Sequence, residues 1–223
     1  MCVPDTGPQA VLFDMDGLLI DSERMWFEVE TEVMAWLGGP WGLEHQRKMV
    51  GGSLGRAAAY MLSLTGPVAS QREVERRLLE GMAERLSESA PLMPGAKELL
   101  AEVRAAQIPT ALVSSSHRVL IEAVLDGVGR ENFDVTVAGD EVARHKPDPE
   151  PYLTAAARLA VDPRRCVALE DSPTGVAAAE AAGCVTVAVP GVVPVPPAPG
   201  RTVVESLQDL DLAVLRDLVR GAR

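Results

Sequence analysis

The sequence has 223 residues, of which 47% are hydrophobic and 24% are charged; this composition is typical of a globular chain long enough to bury a substantial core. Its formal net charge of −11 argues against nucleic acid and against an anionic membrane as partners. Three cysteines without a Cys-x-x-Cys spacing indicate no disulfide framework. Because no signal-peptide or membrane-helix pattern is found, we expect a cytoplasmic protein, and because no exposed apolar seam stands out, we expect a monomer.

The first predicted element is the apolar run at residues 10–13, which is typical of a strand buried on both faces in a parallel sheet. Asp14 and Asp16 follow it and leave the chain on the same side, so both can address one ligand. Gly17 permits a sharp turn directly after them. A calcium loop is excluded because Leu18 stands where a third oxygen ligand is needed. A solvated turn remains the alternative for this short motif taken by itself.

The rest of the chain divides by its hydrophobic periodicity. Only helical patterns occur between residues 22 and 88, whereas helical and strand patterns alternate afterwards, as in a parallel sheet with right-handed crossovers. We therefore predict an α/β fold with a Rossmann-like parallel-sheet core, residues 1–21 and 89–223, and an inserted all-helical cap domain, residues 22–88. Helices are predicted at about 22–37 with Ser22 as N-cap, 53–64, 70–87, 95–106, 117–127, 149–160, 173–182 and 209–219, and later strands at 110–113, 135–137, 166–169, 185–189 and near 203–204.

Polar groups follow several of these predicted strands. Three serines, residues 114–116, stand at a helix start, where hydroxyl and backbone N–H groups can bind an anion. Glu170 and Asp171 follow another strand, and Lys146, in a chain with few lysines, precedes a proline in a loop that opens a helix. Helix capping and a solvated lysine are the alternative explanations of these motifs.

The acidic side chains also bear on metal binding if the carboxyl ends of the strands lie close together. Asp14, Asp16, Glu170 and Asp171 would then form a cluster, and like charges about 4 Å apart repel by on the order of 4 kcal/mol per pair at an effective dielectric constant of 20. Such a cluster needs a cation. The sequence therefore predicts a hard divalent ion with oxygen ligands, Mg²⁺, together with the ammonium group of Lys146.

These motifs resemble, in order along the chain, the four motifs of the haloacid dehalogenase superfamily. The resemblance spans nearly the whole chain and is nearest to the branch that holds β-phosphoglucomutase and the small sugar-phosphate phosphatases. It implies that the helical insert is the cap of that superfamily. The segments that carry it are Phe13–Glu23, Val113–Ser116, Lys146–Pro149 and Leu169–Gly175.

The resemblance also implies a role for each matched residue. Asp14 would be the nucleophile that forms an aspartyl-phosphate, and Asp16 would protonate the leaving oxygen and then activate water. Mg²⁺ would be held by the side chains of Asp14 and Asp171 and by the backbone carbonyl of Asp16, while Glu170 would hold metal-bound water or support the ligands from behind. The groups implied to bind the transferring phosphoryl group are Ser114, Ser115 and Lys146.

Two departures from the mutase favour a phosphatase. Trp26 stands where the mutase has a histidine, and Leu54 stands where it has a phosphate-binding arginine. A mutase must hold a second phosphate group, so we expect hydrolysis of a small phosphorylated sugar, polyol or related metabolite. A phosphohexomutase and a non-catalytic phosphometabolite-binding protein remain the alternatives. The further residues expected to contact the substrate are Glu23, Trp26, Gly52, Ser53 and His117.

Overall fold

A computed structural model describes residues 7–222, and within this range six strands form one parallel sheet. The strands are β1 (Ala10–Phe13), β2 (Thr110–Val113), β3 (Val135–Val137), β4 (Cys166–Glu170), β5 (Val185–Ala188) and β6 (Arg201–Val203). Their order is β3-β2-β1-β4-β5-β6, so the first strand of the chain is central. Every residue of β1, β2, β4 and β5 is buried, which explains why their sequences are mainly apolar and do not alternate with polar residues. The predicted α/β class is confirmed.

Helices pack against the sheet and also lie over the carboxyl ends of its strands. Among residues 7–222, five α-helices lie between β1 and β2: the first four form the insert, and the fifth belongs with the four later helices to the part of the chain that builds the sheet. Among the described residues, no helix combines the length and the apolar character that crossing a membrane requires. The helices are α1 (Glu23–Leu37), α2 (Leu43–Met49), α3 (Leu54–Thr65), α4 (Gln71–Glu88), α5 (Ala96–Ala105), α6 (Arg118–Val128), α7 (Glu150–Arg158), α8 (Pro173–Ala181) and α9 (Leu212–Gly221).

The inserted helices pack around α4. Its buried residues Val74, Leu78, Met82 and Leu86 recur at helical spacing on one face, and α4 contacts α1, α3 and also α6 beside the sheet. The apolar core is therefore continuous from the insert to the sheet. This packing places the loop between α2 and α3 over the carboxyl ends of the strands, where Ser115 Oγ lies 3.4 Å from the carbonyl oxygen of Gly51.

Two neighbouring chain segments connect the insert to the sheet. The backbone N–H of Asp21 donates to the carbonyl oxygen of Pro91 (2.8 Å), and that of Met93 donates to Leu19 (2.9 Å). The incoming and outgoing segments thus support each other as a short antiparallel pair. The domain boundaries at residues 21–22 and 88–89, and a hinge at these segments, stay predictions.

One helix was missed, and one predicted N-cap has the predicted position but not the capping hydrogen bond. Helix α2 was not predicted, because its sequence LEHQRKM has only two apolar residues, at its ends, and so lacks a hydrophobic stripe. Ser22 occupies the N-cap position of α1 but makes no side-chain cap. Its hydroxyl group donates to Asp16 Oδ1 at 2.8 Å, and its backbone is in the αR region (φ −97°, ψ −10°) rather than in the extended conformation typical of a capping residue.

The described cysteines are buried thiols. Cys166 and Cys184 form no disulfide, as predicted, and Cys2 lies outside the described residues. Burial raises the pKa of each thiol to about 12, so neither group is a reactive thiolate at neutral pH.

Candidate active site

The carboxyl ends of three adjacent strands bring the predicted motifs together. Because β1 lies between β2 and β4, Asp14 lies between the serines that follow β2 and the acidic pair at the end of β4. Asp14, Glu170 and Asp171 are all buried, and each offers a carboxylate oxygen within 4.8 Å of the other two. The four segments that were far apart in sequence therefore form one site at the centre of the sheet edge, where α/β proteins bind ligands.

Lys146 neutralises part of this acidic cluster. Its Nζ donates to Asp14 Oδ1 (2.7 Å), to Glu170 Oε1 (2.6 Å) and to the carbonyl oxygen of Val113 (2.9 Å). Burial disfavours the charged amine, but the two carboxylates outweigh it and raise the pKa of Lys146, so the group stays protonated. The Lys146–Pro147 peptide bond is cis, which the sequence left open.

Glu170 is held behind Asp14 by several donors. Its Oε1 accepts from the fully buried Tyr152 hydroxyl (2.6 Å) as well as from Lys146, and Ser172 Oγ lies 3.3 Å from its Oε2. Burial raises the pKa of Tyr152, which keeps that hydroxyl a donor. A Cβ on Gly175 would lie 1.9 Å from the Glu170 carboxylate. Only glycine allows α8 to begin so close to this group.

Asp171 gives the site a buried oxygen that suits a cation as its partner. Its Oδ2 is buried and has no hydrogen-bond partner, and burial, followed by the charge of Asp14, raises the pKa of Asp171. Gly17, with a φ of 79°, brings the backbone so close that a Cβ would lie 2.4 Å from this oxygen. Unpaired buried carboxylate oxygens are costly. Because all the donors are hard oxygens, the residues present fit a divalent ion such as Mg²⁺.

Asp16 is oriented by four hydrogen bonds. Its Oδ1 accepts from Ser22 Oγ (2.8 Å) and Trp26 Nε1 (3.0 Å), and its Oδ2 accepts from Ser116 Oγ (2.8 Å) and Ser114 Oγ (3.3 Å). Two donors come from the segment that enters the insert and two from the loop after β2. The carboxylate is therefore fixed in one orientation and keeps the accepting capacity that a proton-transferring group needs.

A cleft lies between this edge of the sheet and the inserted helices, and Asp14, Asp16 and Asp171 line its floor. Ser115 and Ser116 line one side. The predicted substrate residues that line the cap side are Glu23, Trp26, Gly52 and Ser53. His117 instead lines a smaller cavity beside it, and Ser114 is buried with its Oγ 3.3 Å from Asp16 Oδ2.

The acidic side chain nearest to this floor from the insert is Glu23. Burial, followed by the charges of Asp16 and Asp21, raises its pKa to about 7. Gln46 Nε2 donates to the carbonyl oxygen of Glu23 (2.8 Å) and lies 3.3 Å from its Oε2. The carboxyl group of Glu23 is thus held in place at the cleft wall.

Three residues at or beside the site were not predicted from the sequence, and a fourth, Ser116, was predicted only as part of an anion-binding group. Ser116 looks like its two neighbours in the serine run, and Tyr152 is one of two tyrosines with no motif around it. Gln46 lies on the helix that was not predicted, and Glu30 lies on α1 among other glutamates. The common signal of Tyr152, Gln46 and Glu30 is a polar side chain at a buried helical position. That signal appears only once the buried faces of α1, α2 and α7 are known.

Glu30 leads to a prediction about the pH dependence of stability. Burial raises its pKa to about 8, with Trp41 opposing and Glu23 adding to the rise. Because the pKa of Glu30 is higher in the folded than in the unfolded state, its contribution to the free energy of unfolding is fully present below the unfolded-state pKa. That contribution is lost as the pH rises through 8. Between pH 6 and 8 we expect the metal-free protein to lose about 2 kcal/mol of unfolding free energy through this group.

Urea unfolding of the wild type and of Glu30→Gln at several pH values tests this prediction. Glu30→Gln keeps an acceptor for Trp41 Nε1 and removes the titration, so its curve should be flatter, whereas Glu32→Gln, a solvent-exposed control on the same helix, should follow the wild type. If the free energies of unfolding of Glu30→Gln and the wild type change with pH in parallel, the prediction is wrong.

Comparison with known proteins agrees with this architecture. The family model described as haloacid dehalogenase-like hydrolase matches residues 8–183. Hexitol phosphatase B of Escherichia coli (strain K12) is 36% identical over 189 residues, which cover 81% of this chain and 83% of that protein. CbbY from Rhodobacter sphaeroides, solved in complex with xylulose-(1,5)bisphosphate, superposes with a TM-score of 0.85 at 31% identity and covers 93% of this chain and 99% of its own.

A mutase shares the fold as well. β-Phosphoglucomutase from Clostridium difficile has a TM-score of 0.85 over 96% of this chain and 98% of its own, but at 20% identity this likeness shows the fold alone. The chain belongs to the haloacid dehalogenase-like hydrolase family, among its phosphatases, and its helical insert is the cap of that fold.

Proposed function

We propose that this enzyme is a Mg²⁺-dependent phosphatase that hydrolyses a small phosphorylated sugar, polyol or related metabolite through an aspartyl-phosphate on Asp14. The observation that supports it most is the state of the two Asp14 oxygens. Oδ1 is bonded to Lys146, whereas within residues 7–222 Oδ2 has no hydrogen-bond partner although Asp14 lines the cleft. One oxygen is thus positioned by a cation and the other is free to attack.

The proposed reaction has two steps. Asp14 Oδ2 attacks the phosphorus atom, the bond to the ester oxygen of the substrate breaks, and Asp16 gives that oxygen a proton. Water then attacks the phosphorus atom, Asp16 takes a proton from it, and the bond between phosphorus and Asp14 breaks to release phosphate. Lys146, Ser114 and the backbone of Ser115 orient and neutralise the phosphoryl oxygens, which is the main requirement of phosphoryl transfer.

The Mg²⁺ ion would be held by the side chains of Asp14 and Asp171 and by the backbone carbonyl of Asp16, with Glu170 supporting them from behind. When bound, it supplies neutralisation of the negative charge that develops on the phosphoryl oxygens. The unpartnered Oδ2 of Asp171 supports this assignment. A cytoplasmic location and a monomeric state stay predictions.

Metal binding should stabilise the fold. Because an ion relieves the repulsion among three buried carboxylates, MgCl₂ at about 100 times its dissociation constant should stabilise the wild type by about 2.7 kcal/mol, a rise in melting temperature of about 5 to 10 °C. Asp171→Asn should lose most of this rise, while Asp126→Asn on the exposed face of α6 should keep it. An equal rise in Asp171→Asn would remove Asp171 from the ligand set.

Trp26 is expected to support catalysis by positioning the carboxylate of Asp16. Trp26→Phe keeps the ring but removes the Nε1 donor to Asp16, so kcat should fall about tenfold, the size of one lost hydrogen bond to a charged group. Trp36→Phe on the exposed face of the same helix should leave kcat unchanged. Steady-state kinetics on an aryl phosphate give the result. An unchanged kcat in Trp26→Phe would show that Asp16 does not depend on this contact.

The cleft also favours hydrolysis over a mutase reaction. Leu54 lines it, and no lysine or arginine of the described chain does so, which leaves a second phosphate group without a cation. The deciding experiment is hydrolysis of p-nitrophenyl phosphate by the purified protein. We expect release of nitrophenol with Mg²⁺ and none with EDTA. The absence of release in both would favour a binding protein, and bisphosphate-primed isomerisation of a hexose phosphate would favour the mutase.

A further inference from the structure

The cap wall of the cleft carries a polar group that the proposed chemistry does not use. Glu23, Trp26 and Glu30 are spaced three and seven residues apart on α1, so they share one helical face, and all three line the cleft. Glu23 and Trp26 are close to the reacting groups, since Trp26 donates to Asp16. Glu30 lies one turn further from the site floor and has no contact with Asp14, Asp16 or Asp171.

Glu30 is buried, but only one of its two carboxyl oxygens has a hydrogen-bond partner among the described residues. It is 4% exposed, and its Oε2 accepts one hydrogen bond, from Trp41 Nε1 at 3.1 Å. Within residues 7–222 its Oε1 has no hydrogen-bond partner. A carboxyl group removed from water normally uses both oxygens. Glu30 lines the cleft, so its unbonded Oε1 is available to a group on a ligand.

The indole that holds Glu30 is itself fixed. The ring of Trp41 stacks on His45 with a centroid distance of 5.2 Å, and His45 Nδ1 lies 2.8 Å from the hydroxyl oxygen of Tyr60. This chain of contacts runs from α3 through α2 to the cap wall. It sets the orientation of the Glu30 carboxyl group before any ligand is bound, as a recognition group requires.

The surroundings limit what can bind to Glu30. Among the described residues that line the cleft, none is a lysine, an arginine or a histidine, whereas Glu23 and Gln46 lie beside Glu30. Because burial raises the pKa of Glu30 to about 8, its carboxyl group is protonated at neutral pH and can both donate and accept. A hydroxyl group matches this pattern. A second phosphate or a carboxylate would meet acidic side chains without a compensating cation.

We propose that Glu30 is a specificity-determining residue that binds a hydroxyl group on the part of the substrate remote from the phosphate, and that this wall excludes substrates with a second anionic group. The inference rests on the proposed phosphatase function and deepens it. The substrate is then a polyhydroxylated monophosphate, in contrast to the bisphosphate in the CbbY complex.

Three phosphate esters test the proposal in the presence of Mg²⁺: sorbitol 6-phosphate, fructose 1,6-bisphosphate and p-nitrophenyl phosphate, which has no hydroxyl group. Glu30→Leu should lower kcat/KM for sorbitol 6-phosphate at least tenfold more than for p-nitrophenyl phosphate, mainly through KM. Glu30→Gln, which still donates and accepts, should keep most of the preference. Glu30→Lys should raise the ratio of bisphosphate to sorbitol 6-phosphate turnover about tenfold.

Glu32→Leu is the matched control, because Glu32 is exposed on the same helix and pairs with Arg85; it should leave all three values as in the wild type. If Glu30→Leu lowers kcat/KM equally for all three esters, or for none, the specificity role is wrong while the phosphatase proposal stands. If the wild type hydrolyses no ester with Mg²⁺, the proposed function fails and this inference fails with it.

Discussion

Asp14→Asn should lower kcat by about four orders of magnitude or more, because an amide oxygen cannot form a stable acyl phosphate and the reaction loses its first acceptor. The folded structure should survive. Asn retains an oxygen for the hydrogen bond from Lys146, and the exchange removes one negative charge from a cluster of three buried carboxylates and one ammonium group.

The melting temperature separates this effect from unfolding. Burial, with Lys146 opposing and Glu170 adding, raises the pKa of Asp14 in the metal-free protein, so its charged form destabilises the fold. Metal-free Asp14→Asn should therefore melt at the wild-type temperature or a few degrees higher, with Asp126→Asn as the control for a surface exchange. A kcat within tenfold of the wild type would contradict the nucleophile assignment. A much lower melting temperature would contradict the electrostatic account.

Lys146→Met should have the largest effect on stability. The Lys146 side chain is 2% exposed, and its ammonium group pairs with two buried carboxylates. Removal of one partner from a buried ionic network lowers the free energy of unfolding by about 3 to 5 kcal/mol. For a chain of this size that corresponds to a melting temperature about 10 °C lower or more. Turnover should be lost as well, because the phosphoryl group loses the cation that orients it.

A second exchange keeps this prediction testable if Lys146→Met folds poorly. Adding Glu170→Gln removes one of the two uncompensated charges, so the double variant should recover part of the lost stability while staying inactive. The difference between the single and double variants measures the coupling of the pair. Lys97→Met, at an exposed position of α5, is the control. A Lys146→Met protein as stable as the wild type would show that the carboxylates are protonated and need no cation.

The sheet was predictable because its signals are local. The runs at residues 10–13, 110–113 and 135–137 match β1, β2 and β3. Short apolar segments bounded by polar residues, glycine or proline are typical of buried strands in a parallel sheet. The meeting of the motifs followed from this, because adjacent parallel strands end at the same edge. The family resemblance supplied the expected roles, which geometry alone does not assign.

The cap wall was not predictable in the same way. Helix α2 has no apolar stripe, so its buried Gln46 looked like a solvated residue, and Glu30 differs in sequence from its exposed neighbour Glu32 only by position. Ser116 likewise cannot be told from Ser114 without the backbone turn that points its hydroxyl group at Asp16. Such positions are defined by how the helices pack, which depends on residues far along the chain.

Trapping the phosphoenzyme tests the central claim most directly. Wild-type protein is mixed with substrate and Mg²⁺, quenched in acid within one turnover and digested, and the peptide that contains Asp14 is sequenced by mass spectrometry. We predict one phosphoryl group on Asp14, absent from Asp14→Asn and from protein quenched before substrate is added. A phosphoryl group on another residue, or full turnover in an Asp14→Ala variant, would contradict the account.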